Sequence, residues 1–277
     1  MNLTSVGYWF THDGGTSSSV NICGSGRTSN YITSNFGVFK IGDGGTQPNA
    51  TSCLLDINNI SIYSSNNVSY TATGNGVVIY AQESTVRIDN SIVSLTAAAS
   101  AGVYQYVIWI NISYLFVMTS TIEMNSQSTQ SAYANGSTSS WLIFENNSVA
   151  TNDAGRIKVQ NSYLSHIGIY GGGAILTNPG NPTTATIFIS NVYFHCVGGD
   201  KVFTLYNNSN GKQDTLILGG TFMSGGLNPI SLPSTGSGFG LGSSVFWNQY
   251  PNNATNLAIY GISTGGTAAL TRTNRPY

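Results

Sequence analysis

Cleavage of a glycosidic bond needs two carboxyl groups at a set separation, about 5–5.5 Å in retaining enzymes and about 6.5–9.5 Å in inverting ones. This chain has only ten Asp and Glu residues, so the candidates are few. Glu83, Asp153 and Asp214 each fall in a polar turn between two apolar runs, which would set them along one edge if the runs stack. With strands about 4.8 Å apart, Glu83 and Asp153 would stand about 10 Å from each other, near the inverting range. Acidic residues are also ordinary turn residues, which weighs against this pair. His12, His166 and His195 are far apart; His166 has no Cys or acid at metal spacing, and His195, within Tyr193-Phe194-His195-Cys196, reads as a strand residue rather than a ligand. Cys23, Cys53 and Cys196 leave a Cys23–Cys53 bridge open, but three isolated thiols read more simply as small buried residues. There is no serine nucleophile elbow and no phosphate loop, and the run 171–173 of three glycines reads as a turn. No catalytic, cofactor-binding or metal-binding residue is therefore assigned from the sequence.

The elements that would position such groups are far clearer. Residues 76–95 read GVVIYAQESTVRIDNSIVSL: an apolar strand, a polar turn, and a strand alternating Val86-x-Ile88-x-Asn90 that runs on to Ile92 and Leu95. Val, Ile and Tyr at period two mark strand, not helix. The unit recurs seven times from Gly37. Its first strands are 38–41, 77–80, 107–110, 141–144, 174–176, 202–205 and 245–247. The second strands open on Leu55, Val86, Ile122, Ile157, Ile187, Leu216 and Leu257, and each has a small or amide residue four positions on. Those residues are Asn59, Asn90, Ser126, Asn161, Asn191, Gly220 and Gly261, spaced 29 to 41 apart. Such a period with variable turns predicts a parallel β-solenoid whose insertions go into loops.

The outward position between the two apolar residues of the second strand runs Asp56, Arg87, Glu123, Lys158, then Phe188, Ile217, Ala258. In register, the first four would form a column of alternating charge, and the last three a face covered by the C-terminal segment or a partner. The first strands are apolar on both faces, Val77 and Ile79 against Val78 and Tyr80, as strands buried on both sides are. One face must line the core. The other is expected to be an interface, most simply in a homotrimer.

Only 7% of residues are charged and the net charge is −1, while Ser, Thr, Asn and Gly make up 128 of 277 residues. That surface suits the outside of a virion or a cell and excludes a nucleic-acid partner. No run reaches transmembrane length, and the first residues do not read as a signal peptide, so no membrane insertion is expected. The expected organisation is an N-terminal cap or attachment segment (1–36), the solenoid (37–263) and a tail (264–277) holding Arg272 and Arg275.

The repeated second strands VRIDNSIVSL, IKVQNSYLSH and TIFISNVYFHCV resemble those of right-handed parallel β-helix proteins, among them pectin-degrading enzymes and viral tailspike and fibre proteins. The resemblance covers about 37–263 and implies an all-β, single-stranded right-handed parallel β-helix of about seven rungs. Arg156-Ile157-Lys158 resembles a substrate-binding motif of polygalacturonases, but the accompanying Asn-Thr-Asp, Asp-Asp and His-Gly elements do not occur. Fold does not give function. The sequence favours a viral structural protein of the virion surface, a spike, fibre or minor capsid component giving rigidity and host-surface attachment. Its expected partners are copies of itself, other virion proteins and cell-surface glycans. A polysaccharide lyase or hydrolase using Glu83 and Asp153 is the alternative from a different class, and a cellular surface adhesin is a third. Enzymatic activity is the less favoured reading.

Overall fold

The computed structural model describes residues 2–3, 10–12, 18–35, 37–42, 53–66, 77–97, 105–126, 140–147, 156–168, 173–179 and 186–197, and seven short strands between 203 and 272. Beyond Cys196 only backbone pairing is described. The described residues contain strands and turns and no helix. Three parallel sheets of eight, nine and nine strands run side by side, each strand pairing with its equivalent one coil earlier and later. The protein is an all-β parallel β-solenoid with the fold of the parallel β-helix proteins.

Each coil has three strands, one more than the repeat read from the sequence. The first sheet takes Val77–Gln82, Tyr106–Asn111, Trp141–Asn147 and Gly173–Pro179; the second takes Thr85–Asp89, Tyr114–Met118, Arg156–Gln160 and Thr186–Ser190. The third takes Ile92–Ala97, Thr121–Ser126, Tyr163–Gly168 and Tyr193–Val197. These four consecutive coils carry strands of at least five residues on every sheet. At both ends the stack continues in coils that include strands of only two to four residues, so the expected count of seven units does not hold. Residues 10–34 already contribute a strand to each sheet, Phe10–His12, Ser19–Cys23 and Tyr31–Ser34, paired in parallel with the next coil. Ala269–Arg272 pairs with Ser244–Trp247 at the other end.

Two second strands differ from expectation. Tyr114–Met118, not the segment opening on Ile122, pairs with Thr85–Asp89, and the Ile122 segment lies in the third sheet. The reason is visible in the residues. YLFVM is apolar on both faces and hides its period, whereas TIEMN alternates with a charge on its outer face. Val245, expected in a first strand, pairs with Leu216 in the second sheet. Leu257 and Ile259 lie outside the described residues.

The lumen is filled by stacked aliphatic side chains. In the second sheet Leu55, Val86, Leu115 and Ile157 form one buried column, with Ile57, Ile88, Val117 and Val159 beside it. Each such side chain contributes about 1.5–3 kcal/mol on removal from water. In the first sheet strict alternation breaks. Val78 and Ile79 both join the lumen core, while Val77 and Tyr80 belong to a separate outer cluster. The ladder pairs Val77 with Tyr106 and Ile79 with Ile108 but steps over the residues between them. This irregularity recurs in the next coil and corrects the face assignment made from alternation.

The outer cluster bears on the face expected to form an interface. Val77, Tyr106, Trp109, Trp141, Phe144 and Leu176 are at most 7% exposed within the single chain. Tyr106 stacks on Phe144 at 4.6 Å and Tyr80 meets Trp109 edge-on at 5.1 Å. The side chains of this stripe are thus buried within the single chain.

The corner between the second and third sheets explains the recurring amides. Asn59, Asn90, Thr119, Asn161 and Asn191 all have φ between 44° and 55°, the left-handed region that Asn tolerates better than other side-chain-bearing residues. Thr119 takes the place expected for Ser126. Asn90 donates to the amide oxygen of Asn59, and Asn191 to that of Asn161 at 2.9 Å. The following serines form a second ladder. The Ser91 amide donates to Ser120 Oγ and the Ser120 amide to Ser162 Oγ, both at 3.1 Å. Thr119→Asn should relieve a β-branched residue at positive φ and supply the missing amide between Asn90 and Asn161. We expect a gain of about 1–2 kcal/mol, read as a higher urea midpoint at unchanged slope.

Candidate functional site

The outer faces of the sheets and the turns at their edges are where this fold can present chemistry. Glu83 sits in the turn between the first and second sheets, as expected. It is half-exposed at φ +48°, and its backbone amide donates to Asn111 O at 2.9 Å. Asp153 and Asp214 lie outside the described residues. The expected pair with Asp153 is therefore represented by Glu83 alone.

The outer column of the second sheet reads Asn21, Asp56, Arg87, Phe116, Lys158, Phe188, Ile217. Asp56 and Arg87 are neighbours, as the alternating-charge column required. Glu123 is not a member and Phe116 holds its place. Arg87 lies 6.0 Å from the Phe116 ring centroid and Lys158 lies 5.7 Å from that of Phe188. In the flanking column Arg156 lies 5.7 Å from the Tyr114 ring. The column therefore alternates cations with aromatic rings, a cation–π arrangement. Arg156-Ile157-Lys158 opens the strand as read, with Ile157 buried and the two cations on the outer face.

Glu123 instead enters the third sheet, where its register neighbour is Ser165 and that of Ser165 is His195. The sequence repeat did not show this column, because it held two strands per coil and set Glu123 in the second sheet. It is not a nucleophilic triad, which needs the imidazole between the serine and the acid. Here serine is central and the acid is two strands, about 10 Å, from the imidazole position. Among the described residues no three His, Cys, Asp or Glu side chains gather as a metal site.

Cys53 and Cys196 are buried and Cys23 is exposed; none of the three is in a disulfide, so no Cys23–Cys53 bridge forms. His12 stacks with Phe10. Glu145, overlooked by the sequence reading, is fully buried in register with Ile110 and Thr177. Of the aromatic residues, Tyr106, Trp109 and Trp141 pack inside. Tyr31, Tyr63, Tyr114 and Tyr193 remain exposed on the outer faces.

His166 is fully buried, between Met124 and Cys196 in the third sheet. Burial pushes its imidazole down to about 4, against main-chain hydrogen bonding at Ser140, and burial likewise raises the Cys196 thiol to about 12. Because the folded imidazole titrates below its ordinary 6.5, the unfolded chain binds the proton first. Stability is full above about pH 6.5 and falls as pH drops towards 4, by roughly 3 kcal/mol in all. His166→Met should flatten this fall when thermal midpoints are compared at pH 7 and pH 4.5.

Comparison with family models, curated proteins and solved structures gives no match. The parallel strand topology alone relates the chain to β-helix proteins.

Proposed function

We propose that the protein is a rigid structural component of a virion surface, a spike, fibre or minor capsid element with a role in host attachment. The observation that carries this reading is the pair of neutral Asn and Ser ladders running along the solenoid axis. They tie each coil to the next without charge, and a rod so tied resists bending and local opening. A surface in which 7% of residues are charged fits repeated stacking, since like charges directly opposite in a sheet repel. Exposed Tyr31 and Tyr63 on adjacent third-sheet strands, Tyr193 further along that sheet and Tyr114 on the second would supply weak contacts to a cell surface, and such contacts add through effective concentration.

Antibody raised against the purified protein should label intact particles released from the organism that carries this gene, by immunogold electron microscopy. Labelling confined to disrupted particles, or to cells alone, would remove the virion-surface reading. Incubation with polysaccharides tests the enzyme reading separately: release of reducing ends that is lost in Glu83→Ala would replace the structural reading with a hydrolase.

A further inference from the structure

The outer face of the second sheet is self-complementary in charge. Along its central column, coil by coil, stand Asn21, Asp56, Arg87, Phe116, Lys158 and Phe188. In a face-to-face pair related by a two-fold axis parallel to the strands, the order of coils on the partner is reversed. With the axis between the Arg87 and Phe116 strands, Arg87 faces Phe116 of the second copy and Asp56 faces its Lys158. Asn21 then faces Phe188. In the flanking column on the C-terminal side Asn58 meets Gln160, amide against amide, and Asp89 meets Met118; in the one on the N-terminal side Thr85 meets Tyr114 and Arg156 meets Leu54. No like charges fall opposite one another. A two-fold along the solenoid axis would instead set Asp56 against Asp56, Arg87 against Arg87 and Lys158 against Lys158, which repel. Phe116, Lys158 and Phe188 are half-buried in the single chain while Arg87, Tyr114 and Arg156 are exposed, so the face combines apolar area with steering charge.

We propose that this face binds a second copy of the chain, with the two solenoids antiparallel and Asp56 paired with Lys158 across the interface. Six strands of five residues span about 29 Å by 16 Å. Two such faces cover roughly 900 Å² before side-chain relief, which places the contact at the small, reversible end of protein interfaces. The antiparallel dimer is independent of the virion reading and would stand or fall without it.

The pairing makes a test by charge exchange possible. Wild type should show a concentration-dependent dimer by light scattering and sedimentation, weakened as salt rises. Asp56→Lys and Lys158→Asp, each alone, put like charges opposite twice per dimer and should weaken self-association at least tenfold. An equimolar mixture of the two variants restores both opposite-charge pairs and should form a heterodimer as tight as wild type. The double variant should also dimerise. Both sites lie on an outer face, so retained thermal midpoints would show that the fold is intact. A variant whose midpoint fell would be replaced by Asp56→Asn or Lys158→Gln. The antiparallel dimer is overturned if wild type stays monomeric at all concentrations, or if the single variants associate as wild type does. It is equally overturned if the mixture fails to associate. A monomer retained on heparin, with retention lost in Lys158→Asp, would overturn it and assign the same cations to an anionic polymer.

Discussion

Trp141→Ala is expected to lower stability by about 3–5 kcal/mol, the range for emptying a buried tryptophan site. Trp141 is 1% exposed and heads the outer cluster, in register with Tyr106 on one side and Gly173 on the other. Glycine leaves no side chain on that flank to collapse into the space, so the cavity would persist and the loss should fall in the upper half of the range. At about 2–4 °C per kcal/mol for a chain of this size, the thermal midpoint should drop by more than about 8 °C. The decisive feature is concentration. Measured in the Asp56→Lys background, where the second-sheet contact is weakened, a residue buried within one chain gives a midpoint that does not change with protein concentration, whereas a trimer-interface residue gives one that does. A mutant midpoint that rises with concentration, or a mutant that melts like wild type, would return the first-sheet face to the role of an interface.

Gly42→Ala should cost about 3–4 kcal/mol, from strain at positive φ and from collision with the next coil. Gly42 has φ +93°, and a Cβ placed there would lie 1.8 Å from the Gln82 carbonyl oxygen and 2.8 Å from Ser84 Oγ. The first obstacle is backbone and cannot turn away, so the two coils must separate. Solenoid coils contact only their neighbours, so the damage should be local. Hydrogen exchange should accelerate in Phe39–Ile41 and Val77–Gln82 while Arg156–Gln160 keeps its protection. Gly26→Ala is the control. Its Cβ would approach only Ser29 Oγ, at 3.2 Å, and should change stability by under about 0.5 kcal/mol. Equal loss of protection in all coils would show that the chain unfolds as one unit.

What could be read from the residues depended on whether a position's chemistry was local. Val86-x-Ile88 and Ile157-x-Val159 announce strands because inward and outward residues differ in type, and the Asn after them marks a left-handed turn that few other residues accept. Those signals are sufficient for the solenoid, the Asp56–Arg87 neighbours and the Glu83 turn. They failed at Tyr114–Met118, where both faces are apolar and period two leaves no trace. One strand misplaced there carried Glu123 into the wrong column.

The rest was decided in three dimensions. That Glu123, Ser165 and His195 share a column follows from strand pairing, which is indifferent to the lengths of the intervening loops, so sequence spacing carries no trace of it. Whether Trp109 and Trp141 face solvent, a partner or their own chain depends on what lies over the first sheet, and residue type within the strand is the same in each case. Sequence alone thus determined the strand repeat and its inward residues, because burial in a narrow lumen selects aliphatic side chains at every coil. Tertiary structure alone decided the third sheet's membership, the buried outer cluster and the charge-complementary face, because each depends on which coils become neighbours.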